Sequence, residues 1–251
     1  MGFRLRALGL HLFWSAVVLT LVLGSLYMGW YRWPGWYLAH ALPVVLILAG
    51  VDLAVGPTLT FVIARSSKPR RELTRDIATI VAVQLAALSY GTWSLWQGRP
   101  VYYAYSEGVL QLVQAYDVNP HEAALAREQN LELAPHWYSV PRWIWAPLPQ
   151  DPSEHDRIVR SAMAGGYDVI SMPQLFKSWE QGLPELHRQL KKIDDLRFFS
   201  DAEKKVLKIR MQAAGLATDQ WNSMAFLGRE QHLLAVFDPQ GQSISAILRP
   251  D

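Results

Sequence analysis

Asp52 is the residue whose position most demands a chemical account. No other Asp, Glu, Lys or Arg lies between Arg32 and Arg65, and its neighbours are apolar. An acidic side chain near the middle of a membrane helix costs about 2.5–3.5 kcal/mol on insertion scales, so it must be neutral or paired. Gly56 and Pro57 follow closely. Proline lacks an N–H and cannot donate to the carbonyl of Leu53, so the helix ladder opens there. Polar groups freed at membrane depth need partners inside a bundle or a wet cavity. Gln84 and Tyr90 on a third apolar stretch and Thr20 on the first are the candidates. Three uses of the carboxyl stay open: a neutral hydrogen-bonding brace, a contact for a partner's polar side chain, or a step in a proton or ion path. Three helices rarely enclose such a path, and no second intramembrane acid is present.

The remaining reactive residues form no familiar catalytic set. His11, His40, His121, His136, His155, His187 and His232 include no i, i+4 pair and no H-E-x-x-H, which argues against zinc. With no cysteine there are no disulfides, thiol nucleophiles or Cys-ligated metals. Glu154-His155-Asp156 follows a helix cap, and adjacent helical residues point different ways. No G-x-S-x-G, P-loop or G-x-G-x-x-G occurs. The expectation is a non-enzymatic chain without cofactor or metal.

The elements that position these residues begin with three charge gaps. No Asp, Glu, Lys or Arg lies between Arg6 and Arg32 or between Asp76 and Arg99, and Asp52 alone interrupts the stretch from Arg32 to Arg65. A hydrocarbon core of about 30 Å needs about 20 apolar residues as a helix. Transmembrane helices are expected over about 8–30, 38–63 and 77–97, within a membrane domain of residues 1–97. The loop 65–76 carries Arg65, Lys68, Arg70, Arg71 and Arg75 against Glu72 and Asp76, and the positive-inside rule puts it in the cytoplasm with Arg4 and Arg6. Residues 98–251 then face the periplasm. Tyr27, Trp30, Tyr31, Trp33, Trp36 and Tyr37 gather at that same face with Tyr90, Trp93 and Trp96, as amphipathic rings prefer. The first stretch is long for a signal peptide and lacks an A-x-A-like site, so it reads as an uncleaved anchor.

Charge divides unevenly. Residues 1–97 hold eight Lys/Arg and three Asp/Glu, net +5, while 98–251 hold sixteen and nineteen, net −3. The basic excess is a topology signal, and no basic stripe argues for nucleic acid.

The second part is long enough for one domain with its own core. Val101–Ser106 and Val109–Tyr116 predict a hairpin turned by Glu107-Gly108, and 120–129 a short helix. The stretch 134–149 is rich in proline and carries Trp137, Trp143 and Trp145; it reads as an irregular surface segment, for docking or for packing. Asp151-Pro152-Ser153-Glu154 opens a helix that Gly165-Gly166 ends. Helices over 173–181 and 184–196 each start at a proline, the first closed by Gly182. Ser200-Asp201-Ala202-Glu203 is a capping box for a helix ending before Gly215. Strands follow at 223–227, 233–237 and 243–248, with a type I turn at Asp238-Pro239-Gln240-Gly241. The fold class expected is a three-helix transmembrane bundle with a C-terminal periplasmic α+β domain built on an antiparallel sheet.

The run Val51–Thr60 (VDLAVGPTLT), with Asp76, Gln84 and Tyr90-Gly91 on the third helix and Arg99-Pro100-Val101-Tyr102 at the first strand, resembles the type IV pilin accessory proteins, the TfpX/TfpZ-like family. The likeness covers residues 1–117 and is faint beyond; Thr58 stands where that family has Leu. It implies a Gram-negative inner-membrane accessory factor, in contact with the lipid bilayer, that modulates pilin assembly or pilus dynamics by binding the major pilin or the assembly machinery. It brings no catalytic residues. Two other classes remain open, a membrane-anchored periplasmic sensor or ligand-binding module and a membrane-bound periplasmic enzyme. The cytoplasmic parts are too small to be a sensor's output domain.

Overall fold

A computed structural model of the chain describes residues 2–64 and 68–251. Arg65, the first basic residue of the loop after the second apolar stretch, lies outside the described residues. Two compact units emerge: Met1–Arg32 with Ala41–Gly98, and Trp33–His40 with Arg99–Asp251.

The first unit is built from three helices long and apolar enough to cross a membrane: α1 (Gly2–Tyr31), α2 (Leu42–Ile63) and α3 (Arg70–Gln97). In α2 the α-helical ladder loosens into π-type turns over Gly50–Val55, just before Pro57. The Gly56 amide reaches back to the carbonyl of Val51, a five-residue span. An inserted π turn is a common way to absorb a break in the i to i−4 ladder. Small residues bring the helices close. A Cβ on Gly91 would lie 2.4 Å from Leu48 Cδ2, so α2 and α3 meet there only because Gly91 has none. The Tyr31 hydroxyl donates to the carbonyl of Leu95 at 2.6 Å, which ties the end of α1 to α3.

The second unit is a seven-stranded sheet with helices. Its strands are β1 (Pro100–Ser106), β2 (Val109–Gln114), β3 (Arg142–Trp145), β4 (Lys177–Ser178), β5 (Asn222–Leu227), β6 (His232–Phe237) and β7 (Ile244–Leu248), in spatial order β4-β3-β1-β2-β5-β6-β7. The α+β class is as the sequence implies. The sheet, expected to be antiparallel, is mixed: β1–β3 and β2–β5 run parallel. Parallel neighbours need long crossovers, and the segments between β2 and β3 and between β4 and β5 supply them. Strand β3 interrupts the expected irregular segment; its four residues sit between prolines and carry little local signal.

The helices are α4 (Pro120–Glu128), α5 (Pro152–Met163), α6 (Trp179–Gln189) and α7 (Asp201–Ala213). Asp151 caps α5 by accepting from the Glu154 amide at 2.9 Å, and Ser200 with Glu203 forms the capping box of α7. In place of the two proline-led helices expected over 173–181 and 184–196 there is one, α6, which runs through both Gly182 and Pro184, while Pro173–Leu175 and Ile193–Asp195 are short 3-10 turns and Lys177–Ser178 is β4. Gly182 serves packing rather than termination, because a Cβ there would lie 2.7 Å from Trp145 Cβ. Leu207 and Met211 of α7 bury against Ala225, Leu234 and Val236 on one sheet face. Glu107 and Gly108 both have positive φ, which gives the β1–β2 hairpin a tight turn whose twist matches its strands.

The link Trp33–His40 folds with this second unit. The Arg229 amide donates to the Leu38 carbonyl at 3.0 Å. The Tyr37 hydroxyl donates to Asp251 Oδ1 at 3.2 Å, and the Arg249 guanidinium stacks 4.6 Å over the Tyr37 ring. Gly228 packs so tightly on Leu38 that a Cβ would fall 2.2 Å from its carbonyl oxygen.

Candidate functional site

Within the helical unit, four polar side chains from three helices join in one chain of hydrogen bonds. Gln84 Nε2 on α3 lies 3.4 Å from both Asp52 Oδ1 and the Asp52 carbonyl on α2. Gln84 Oε1 sits 2.7 Å from His11 Nε2 on α1, and His11 Nδ1 sits 2.6 Å from the Thr60 hydroxyl. One assignment satisfies every contact: Thr60 donates to His11 Nδ1, His11 Nε2–H donates to Gln84 Oε1, and the Gln84 amide donates to Asp52. Asp52, Thr60 and Gln84 are buried. The π turns rotate Asp52 toward α3, and Gly56 makes room there: a Cβ on it would lie 2.1 Å from Gln84 Nε2.

The chain floors a groove of about 340 Å³ between α1 and α3. Leu10, Trp14 and Val18 form one wall and Val81, Leu85 and Leu88 the other. The second Asp52 carboxyl oxygen makes no hydrogen bond among the described residues, and the side chain lines the groove. Such a site suits an apolar rod that carries one polar group.

The structure unites Asp52, Gly56 and Gln84 here, with Pro57, next in sequence to Gly56, also buried. Tyr90 stands apart, 76% exposed, and does not line the groove. Thr20 is not among the lining residues either; helix α1 contributes His11 instead. Residue counting offered a signal for His11. At 1.5 Å per residue it lies about 14 Å from the start of α1, and Asp52 about 17 Å from the end of the antiparallel α2.

The tryptophans of the second unit diverge. Trp137 is 70% exposed, beside exposed Tyr138 and Val140. Trp143 is half-buried among Tyr103, Trp179 and Phe226, with ring centroids 4.8 to 5.6 Å away. Trp145 is also half-buried, with Lys177 Nζ 5.2 Å over its ring. Among the described residues no three His, Asp or Glu side chains converge closely enough to hold a metal ion.

No protein-family model matches the chain, and no solved structure does. The chain is 23% identical over 192 residues to the fimbrial assembly protein of Dichelobacter nodosus serogroup E1, which spans 75% of this chain and 72% of that protein. The same figures hold for the fimbrial assembly protein of serogroup I. The fimbrial assembly protein of serogroups C1 and C2 is 26% identical over 116 residues, 46% of this chain and 88% of that protein. The chain is thus a distant relative, over most of its length, of proteins named for fimbrial assembly.

Proposed function

We propose that this chain is an inner-membrane accessory protein of type IV fimbrial assembly that holds the apolar N-terminal helix of a pilin subunit in the groove between α1 and α3. The observation that carries this reading is the groove's composition, apolar walls over a floor of Asp52, Gln84, His11 and Thr60. A pilin waiting in the bilayer presents an apolar helix with one buried carboxyl. A neutral Asp52 shares a hydrogen bond with that carboxyl, and the groove walls pack the rest. The names of the fimbrial assembly relatives favour the same setting.

In this reading the N-terminus and the basic loop are cytoplasmic, and residues 98–251 face the periplasm. Exposed Trp137 supplies a docking surface for the pilin head or for the assembly machinery, whereas half-buried Trp143 and Trp145 serve packing. The work is done by binding, with no catalytic step.

The test is site-specific photocrosslinking from Val81 or Leu85 to the major pilin in cells, with and without Asp52→Asn. An intramembrane hydrogen bond contributes about 1–2 kcal/mol at best, so capture is expected to fall roughly five- to thirty-fold while the chain stays abundant. Unchanged capture would remove Asp52 from the proposal. No pilin crosslink from either wall would remove the groove.

A further inference from the structure

The sheet unit holds a cavity of about 700 Å³ that the fimbrial reading does not use. Its lining comes from the end of β2, the segment after α5 and the turn between β5 and β6. Groups of both charge signs line it: Arg229, and the carboxylates of Asp117 and Asp168.

Arg229 is placed to take an anion. Its backbone amide is fixed on the Leu38 carbonyl at 3.0 Å. Its guanidinium lies 5.7 Å from the centre of the Tyr116 ring, and Nη1 donates to the Tyr116 hydroxyl at 3.4 Å. The remaining guanidinium N–H groups make no hydrogen bond among the described residues, and the residue is exposed. A guanidinium presents its donors in a planar fork that matches a carboxylate.

The two carboxylates are each half used. Asp117 Oδ2 accepts from the Gln114 amide at 2.9 Å, and Asp168 Oδ1 accepts from the Val169 amide at 2.6 Å. Their other oxygens make no hydrogen bond among the described residues, and neither residue is sealed from solvent. Burial pushes the Asp117 carboxyl up, and the Gln114 amide and Arg229 offset only part of that. A bound cation would offset the rest. Arg229 is near enough to act on the Asp117 charge, so the two signs lie close together.

This arrangement disfavours a simple ion. Two carboxylates repel an inorganic anion, and among the described residues no three His, Asp or Glu side chains converge for a metal. It favours a small molecule that carries both charges a short distance apart. Leu112 and Ile170 add an apolar wall. We propose that this cavity binds a free α-amino acid with an apolar side chain. Its carboxylate sits on Arg229, its ammonium on Asp117 with Asp168 as a second acceptor, and its side chain against Leu112 and Ile170. The site is independent of the helical groove and of any pilin.

The full chain in phosphatidylcholine nanodiscs, dialysed free of amino acids, is titrated with L-leucine and followed by ligand-observed NMR and calorimetry. Saturable binding with a Kd at or below ~1 mM is expected. N-acetyl-L-leucine lacks the ammonium and L-leucinamide lacks the carboxylate, and each should bind about tenfold more weakly. Arg229→Gln should lose about tenfold in affinity for leucine while binding leucinamide as before. Asp117→Asn keeps an acceptor for the Gln114 amide; it should lose a similar factor for leucine and nothing for N-acetyl-L-leucine. Absence of saturation at ~10 mM, equal binding of either blocked analogue, leucine affinity unchanged in both variants, or tighter binding of glycerophosphoethanolamine, a lipid headgroup, would each overturn the proposal.

Discussion

At the residue scale, the polar contacts divide into a buried chain and exposed pairs with different physics. In the buried chain, His11 touches partners on both other helices, and so does Gln84. The Gln84 amide has two ends, one accepting from His11 and one donating to Asp52, so no residue lacking both functions can replace it. Among exposed pairs, Asp251 is the most perturbed. The Arg249 guanidinium, with the Tyr37 hydroxyl adding to it, holds its carboxyl down at about 2. A carboxyl with a lowered folded value stabilises the fold above its unfolded value of about 4, and that contribution is lost as pH falls through the folded value. Tm is therefore expected to drop as pH goes from about 4 to 2. Arg249→Gln should flatten that part of a thermal-unfolding profile, and an identical profile would mean that the pair contributes nothing measurable.

At the scale of elements, α6 shows how packing overrides propensity. Glycine in a helix interior is about 1 kcal/mol worse than alanine, and proline is worse still. Local reasoning therefore splits the segment into two helices. The strand β3 changes the outcome, because Trp145 presses on the helix where only a hydrogen fits. Gly182→Ala should then destabilise the domain, by about 1–3 kcal/mol from overpacking less the gain in propensity. A raised Tm would show that the tryptophan moves aside freely. The π turns in α2 are the opposite case: Pro57 announces a disturbed ladder in the sequence, and the backbone is disturbed next to it. What the proline does not reveal is the direction in which Asp52 is turned.

At the scale of the whole molecule, the three charge gaps and the basic loop argue for a cytoplasmic N-terminus and an exported C-terminal part. Alkaline phosphatase fused after Asp251 should be active, and a fluorescent protein that folds only in the cytoplasm should be dark there. The reverse pattern would overturn the orientation and with it the meeting of Trp137 with an envelope partner. The link between α1 and α2 illustrates how units cross sequence boundaries. Its hydropathy marks it as a short turn between membrane spans, yet Tyr37, Leu38 and His40 bond to residues of the second unit.

The sequence by itself determined whatever depends on near neighbours. The apolar spans follow from runs without charge, and the caps at Asp151 and Ser200 follow from side chains that reach an amide three residues away. The Glu107-Gly108 and Asp238–Gly241 turns likewise need no distant partner. Only the tertiary structure decided which strands run parallel and that His11 completes the polar chain. Those outcomes rest on contacts between residues far apart in sequence, His11 with Thr60 at a separation of 49 and Tyr37 with Asp251 at 214. Such pairs carry no local signature, because side-chain direction and strand order are set by what the rest of the chain has already filled.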